Sequence, residues 1–275
     1  MTATAATLRL PELELLFEES PQADLALPGE LQDAYGGSPA LAAPRLCVNF
    51  VSTLDGVVAL PDEVQSSHLI AAGSEADRFV MGLLRAQADV VLVGAGTLHG
   101  SPRSRWTAER AYPPAAPLYA ELRRGLGLAP QPTLAVLSGS GRLDPGHPGL
   151  DERSLVLTSE RGAARLRRRL PDKAEVVPLG AEGPLDVGRA VELLRARGHG
   201  LILCEGGPTV FGALVGAGLV DDLFLTVSPL LAGRGGGDSR LALVEEAAFL
   251  PGRKVEGRLV SLRRAGSHLF LRYAL

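Results

Sequence analysis

Apolar positions divide the chain into two zones. Over residues 1–43 leucines are mixed with an acidic bias (Glu12, Glu14, Glu18, Glu19), and the zone ends in the loop-forming cluster Gly36-Gly37-Ser38-Pro39. This predicts an N-terminal arm packed on the main domain or on a partner through a flexible join. A disordered tail is the alternative, and Leu13, Leu15, Leu16 and Phe17 weigh against it. Over residues 44–275 the pattern becomes strand, helix, strand. Short apolar runs at 46–51, 89–94, 133–137, 154–158 and 201–204 read as buried strands, the β-branched run at 89–94 being the kind covered on both faces of a parallel sheet. Helical spacing appears at 74–86, with Ser74 as N-cap, at 161–170, at 186–197 and at 208–215. Three strand-like segments, 223–227, 257–263 and 268–273, close the chain. Between them, 100–117 is rich in Pro and Arg and reads as a loop. The result is an α/β domain: a mixed, mostly parallel sheet flanked by helices on both faces.

Composition narrows the function classes. With 46% hydrophobic and 21% charged residues and a net charge of -3, the 275-residue chain has an ordinary globular mix and no net basic character for nucleic acid. No apolar run reaches membrane-spanning length and no secretion signal is visible, so a cytoplasmic protein that binds neither membrane nor nucleic acid is expected. Cys47 and Cys204 lie in strand-like runs and read as two buried free thiols. The five histidines show no metal-ligand spacing, and no metal is expected.

Three motifs carry chemistry. In Leu203-Cys204-Glu205-Gly206-Gly207-Pro208-Thr209 a buried strand runs into two glycines and then a proline suited to the first helical turn. Glycines let backbone approach a ligand, and helix N-terminal amides favour an anion such as a pyrophosphate. A bare strand-to-helix turn is the alternative. In Val93-Gly94-Ala95-Gly96-Thr97 a second glycine turn ends a buried strand. It is half a dinucleotide fingerprint, with the third glycine misplaced, a loop carrying Arg103 and Arg105 expected in place of a helix, and no ribose-binding acid about 20 residues on. In Asn49-Phe-Val-Ser-Thr-Leu-Asp55-Gly56 a polar residue interrupts an apolar strand before an Asp-Gly turn, suiting either a pocket wall or a satisfied core Asn and a simple turn.

In this order and spacing the motifs resemble the pyrimidine reductases of riboflavin biosynthesis, which have the dihydrofolate-reductase-like fold. Leu84-Arg85-Ala86-Gln87-Ala88-Asp89, Gly218-Leu219-Val220-Asp221-Asp222-Leu223 and Pro229-Leu230-Leu231-Ala232-Gly233 extend the likeness over about residues 45–275. The resemblance implies NADPH as hydride donor, reduction of a ribosylamino-pyrimidine phosphate to its ribitylamino form, and a homodimer. It places Ser52, Thr53, Gly94, Thr97, Ser138, Gly206, Gly207, Pro208, Thr209, Val210 and Phe211 at the cofactor, with Thr158 or Arg161 assisting near Ser138. It places Arg85, Glu205, Ser67 and Arg105 at the substrate, the arginine suiting a phosphate and the glutamate a sugar hydroxyl or ring N–H. Asn49, Asp55 and Glu205 are the catalytic candidates. Hydride transfer also needs a proton source, and Asp55, Glu205 or an ordered water are the options.

The chain departs from the family pattern in one loop. After Thr97 it reads Leu-His-Gly-Ser-Pro-Arg-Ser-Arg-Trp, losing an acidic ligand-contacting residue and leaving Arg103 and Arg105 as rival phosphate-binding candidates. Position 49 is Asn where many bifunctional enzymes have Lys, and no zinc deaminase motif is found, so the resemblance is to a stand-alone reductase. Two other readings follow: the same fold and cofactor acting on another substrate such as dihydrofolate, or a non-catalytic nucleotide-binding protein. Arg165, Arg167, Arg168 and Arg169 read as a solvated helix face or as 2′-phosphate attraction, His99 as a pocket neighbour, and Trp106 as a ring-stacking residue or a loop anchor.

Overall fold

The computed structural model describes residues 10–19, 27–39, 41–60, 63–167, 169–181, 185–235 and 239–275. In chain order the elements are β1 (Glu14–Glu18), α1 (Gly29–Tyr35), β2 (Arg45–Ser52), β3 (Val57–Ala59), α2 (Ser66–Ile70), α3 (Glu75–Gln87), β4 (Val90–Gly94), α4 (Ala95–Gly100), α5 (Ala108–Ala111), α6 (Ala116–Gly125), β5 (Thr133–Ser138), β6 (Ser154–Thr158), α7 (Glu160–Leu166), β7 (Ala174–Pro178), α8 (Val187–Ala196), β8 (Leu201–Cys204), α9 (Pro208–Gly216), β9 (Asp222–Val227), β10 (Leu241–Ala242), β11 (Arg258–Ala265) and β12 (His268–Ala274).

Ten strands form one sheet in the order β1-β11-β12-β9-β2-β8-β4-β5-β6-β7. From β9 through β2, β8, β4, β5 and β6 to β7 every neighbouring pair is parallel; β12, β11 and β1 add on antiparallel. This is the mixed, mostly parallel sheet that the apolar runs predict. β4 is buried at all five positions because helices cover both of its faces. One core, with Phe79, Leu83, Tyr119 and Val91, lies under α3 and α6; the other, with Leu46, Ile202, Leu194 and Phe211, lies under α8 and α9.

Local chemistry sets the ends of α3. Ser74 caps it, its hydroxyl accepting from the Asp77 amide at 3.2 Å. At the other end the Arg123 guanidinium donates to the carbonyls of Arg85, Ala86 and Ala88, satisfying acceptors that a helix terminus leaves open. Burial pushes that guanidinium down to about 10. The helix that carries Arg85 is therefore held at both ends.

Three expectations need correction. A helix, α4, starts directly after Gly94 and takes in Thr97, where a loop was expected to follow the glycine turn; its Leu98 is fully buried, and that contact outweighs the low helix propensity of Gly96 and Gly100. The Pro- and Arg-rich stretch 100–117 holds α5 and leads straight into α6, whose prolines sit at helix starts, where a missing N–H costs nothing. Arg165 is not a freely solvated side chain, since it donates to the Ser140 carbonyl at 2.6 Å. Of the two readings of Trp106 the structure favours the loop anchor: it is 6% exposed and its ring lies 5.8 Å from that of His147. Arg168 lies outside the described residues. Cys47 and Cys204 are both buried and unbridged, as expected. Among the described residues no helix is long and apolar enough to cross a membrane.

Residues of the arm dock on the domain's antiparallel edge. β1 pairs with β11, and Leu13 donates to the Ala34 carbonyl at 2.8 Å, tying β1 to α1. The fully buried Arg263 reaches across from β11: it donates to the Tyr35 and Gly36 carbonyls and to Glu18, and lies over the Tyr35 ring at 4.2 Å.

Candidate active site

The sequence-derived candidates gather at the C-terminal ends of β2, β4, β5 and β8, where an open parallel sheet exposes a crevice. The two glycine turns meet there. The Gly94 N–H donates to the Gly206 carbonyl at 2.7 Å, and the Glu205 N–H donates to Leu92 at 3.0 Å. A Cβ on Gly94 would lie 3.0 Å from a Val210 methyl and 3.5 Å from the Gly207 nitrogen, and Gly206 has φ +96°, so this close join excludes side chains. Gly207 caps α9 and Pro208 occupies its first turn, placing the helix N-terminus in the crevice. Phe50 and Phe211 pack at 5.5 Å beneath it.

Ser138 lies at the end of β5, 3% exposed, and its hydroxyl has no hydrogen-bond partner. Thr158 beside it is turned inward, donating to the Ser138 carbonyl, and Arg161 is exposed on α7. An orphaned buried hydroxyl, a glycine cradle and an open helix N-terminus fit a dinucleotide lying across the strand ends.

The Asn49–Gly56 motif serves two purposes. Asn49 is half-buried on β2 and lines a small cavity with Thr226, Tyr35 and Val80. Ser52 and Thr53 are buried at the strand end, where Ser52 accepts from the Ser228 amide and the Thr53 hydroxyl accepts from Val57. Asp55 is exposed and works as a clamp: it accepts from the Thr53 hydroxyl at 2.6 Å and from the Ala232 and Gly233 amides at 3.0 and 2.7 Å. These donors hold its carboxyl at about 2, which makes Asp55 the poorer of the proton sources that the sequence offered beside Glu205 and an ordered water.

Arg85 and Glu205 lie together. The Arg85 Nε and Nη2 donate to the two Glu205 oxygens at 2.8 and 2.6 Å, and Nη1 donates to the Thr107 carbonyl at 3.2 Å. Both side chains are 8% exposed. With Nε and Nη2 on the carboxylate and Nη1 on the Thr107 carbonyl, Arg85 orients Glu205. Arg105 is likewise committed to Asp151 and Glu152. Ser67 is exposed on α2, Thr97 half-buried on α4, and His99 and Arg103 exposed. Burial pushes the Cys204 thiol up to about 12, so it is inert.

The sequence reading missed Asp77. It is the third residue of α3, where it reads as an ordinary first-turn carboxylate, and it is half-buried there. Burial, the first cause, with Glu205 adding to it, raises its carboxyl from 3.8 to about 6, against the lowering influence of Thr226, His268 and His68.

Residues 44–270 match the family model described as the RibD C-terminal domain. Over 192 residues the chain is 28% identical to the 2,5-diamino-6-ribosylamino-4(3H)-pyrimidinone 5′-phosphate reductase of Archaeoglobus fulgidus, covering 69% of this chain and 82% of that protein. It is 30% identical over 190 residues to the riboflavin biosynthesis protein RibD of Mycobacterium tuberculosis, covering 69% of this chain and 43% of that longer protein. Among solved structures, a pyrimidine reductase-like protein from Corynebacterium diphtheriae superposes with a TM-score of 0.67 at 22% identity, over 89% of this chain and 97% of the other. RibD from Acinetobacter baumannii superposes with a TM-score of 0.63 at 19% identity, over 84% of this chain and 58% of the other. These two show the fold.

Proposed function

We propose, for a chain that belongs to the RibD C-terminal domain family, that it is an NADPH-dependent reductase of riboflavin biosynthesis converting a ribosylamino-pyrimidine phosphate to its ribitylamino form. The observation that carries this reading is the join of the two glycine turns, Gly94 N–H to Gly206 carbonyl at 2.7 Å, beside the Glu205 carboxylate. That arrangement supplies an anion-binding helix end and a sugar-binding acceptor in one crevice.

The first turn of α9, from Pro208 through Thr209 and Val210 to Phe211, would hold the pyrophosphate, with Gly94, Thr97, Gly206 and Gly207 lining its approach. Ser138 would accept or donate at the adenosine ribose, and Ser52 and Thr53 would place backbone beside the nicotinamide. When bound, the cofactor supplies a hydride to the sugar carbon attached to the exocyclic nitrogen. Glu205, fixed by Arg85, presents acceptor oxygens to a sugar hydroxyl or ring N–H. Asn49 lines the floor, and Ser67 and Arg103 are the remaining candidates for the phosphate. A homodimer is part of the same reading.

Loss of NADPH absorbance on adding the A. fulgidus enzyme's substrate, a ribosylaminopyrimidinone phosphate, tests the activity. No oxidation, with NADPH still bound, would redirect the reading to another substrate; no NADPH binding would overturn it. Sedimentation of the purified chain tests the dimer.

A further inference from the structure

We propose that His147, in the connection between β5 and β6, is a positioning residue for the pyrimidine substrate: it braces residues 101–107 so that the Thr107 carbonyl sets the Arg85–Glu205 pair. This role rests on the reading of the activity given above.

The imidazole is 3% exposed and both of its nitrogens are engaged. Nδ1 accepts from the Gly149 amide at 3.0 Å, so the ring carries its hydrogen on Nε2 and donates it to the Ser101 carbonyl, also at 3.0 Å. The Trp106 ring lies 5.8 Å away, inclined by 31°. A Cβ on Gly149 would come within 3.1 Å of the Trp106 ring and 3.2 Å of His147 Nδ1, so the glycine leaves just enough room for both rings. The connection is itself well seated, since its Leu143 and Leu150 are buried in the core under α3 and α6.

The braced residues join α4 to α5, and of them only Trp106 and Thr107 are buried. Arg105 pairs with Asp151 and Glu152 on the same connection, but half-exposed carboxylates make these surface ion pairs, which hold little. The enclosed contacts of His147 therefore decide where the segment lies.

Two parts of the site depend on that placement. At one end Ser101 follows Gly100, whose carbonyl accepts from the Gln65 amide at 2.8 Å, at the start of the helix that carries Ser67. At the other end the Thr107 carbonyl accepts from Arg85 Nη1 at 3.2 Å, while Nε and Nη2 hold the two Glu205 oxygens at 2.8 and 2.6 Å. A guanidinium is a rigid planar fork, so the Thr107 carbonyl sets its rotation and with it the direction in which Glu205 presents its oxygens. Misplacing such a group by about 1 Å can cost about a hundredfold in rate. The cofactor cradle is held separately: the Gly94 amide bonds to the Gly206 carbonyl, and the fully buried Leu98 seats α4. His147 thus acts on the substrate side of the crevice.

Two amides separate the work of the two ring nitrogens. A glutamine nitrogen reaches the place of Nε2 and keeps the bond to Ser101, whereas an asparagine oxygen takes the place of Nδ1 and keeps only the bond from Gly149. Both lose the ring, so the melting temperatures of the two variants should fall together. In steady-state assays with the ribosylaminopyrimidinone phosphate, His147→Asn should lose at least about tenfold in kcat/KM, His147→Gln should stay within about threefold of the parent, and both should bind NADPH within about threefold. Trp106 is the sole tryptophan, so acrylamide quenching reads the segment directly: it should rise in His147→Asn and stay near the parent's in His147→Gln. Equal losses of kcat/KM in the two variants, or none in either, overturn the role. If neither variant folds, Gly149→Ala, whose Cβ presses on both rings, should raise the KM of the pyrimidine and leave NADPH affinity as it is; an unchanged KM overturns the role. No turnover by the unaltered protein overturns the activity and this role with it, whereas normal turnover with equal losses in the two variants overturns this role alone.

Discussion

Arg85 and Glu205, 120 positions apart, form a two-pronged ion pair with both side chains 8% exposed. A pair withdrawn from water to this degree is sensitive to losing one member, because the survivor is left as an uncompensated charge. Arg85→Ala and Glu205→Ala should each destabilise the fold by about 3 kcal/mol, and the double variant by clearly less than their sum. Urea unfolding of the four proteins measures the coupling, and simple additivity would show that the pair does not act as a unit.

Gly207 offers a test of the cofactor cleft that spares the fold. Its φ of -79° and ψ of -176° suit any residue before a proline, and a Cβ there would meet only the Thr97 hydroxyl, at 3.4 Å. Gly207→Leu should fold with a near-normal melting temperature and lose at least about tenfold in NADPH affinity, a change of about 1.4 kcal/mol. Unchanged affinity by fluorescence titration would place the pyrophosphate elsewhere.

Asp55 predicts a pH dependence. Its carboxyl is lowered from 3.8 to about 2, chiefly by the Thr53 hydroxyl and the Ala232 amide. The folded value lies below the unfolded one, so its contribution is present above about pH 4 and lost as pH falls toward 2. Asp55→Asn should flatten the acid dependence of stability in that window and loosen the 229–233 turn. Parallel slopes for variant and parent between pH 5 and 2 would contradict the clamp.

The arm depends on Gly36. It ends α1 with φ +70°, and a Cβ there would sit 2.6 Å from the Leu13 carbonyl oxygen, which is backbone. Gly36→Ala should detach α1 from β1 and make the segment before residue 40 sensitive to protease, leaving a resistant core. Limited proteolysis followed by mass measurement reads this directly; equal resistance in both proteins would mean that the arm is held without this turn.

Much of the architecture was legible locally. Short apolar runs at 89–94 and 133–137 suited a strand covered on both faces, and the glycine turns at the ends of 89–94 and 201–204 announced close backbone approach. α4, α5 and α6 were not legible, because short helices among Pro and Gly exist by tertiary burial of Leu98, Ala108 and Tyr119.

The sequence alone determined that the chain folds as an α/β domain and where its glycine turns lie, since periodicity and backbone freedom are properties of neighbouring residues. Tertiary structure decided what each polar side chain does, because charge partners came from elements far apart in the chain. Arg85 became the orienter of Glu205, and Asp55 a clamp on the turn at 232–233. Desolvation and ion pairing act through space, and no spacing along the chain records them.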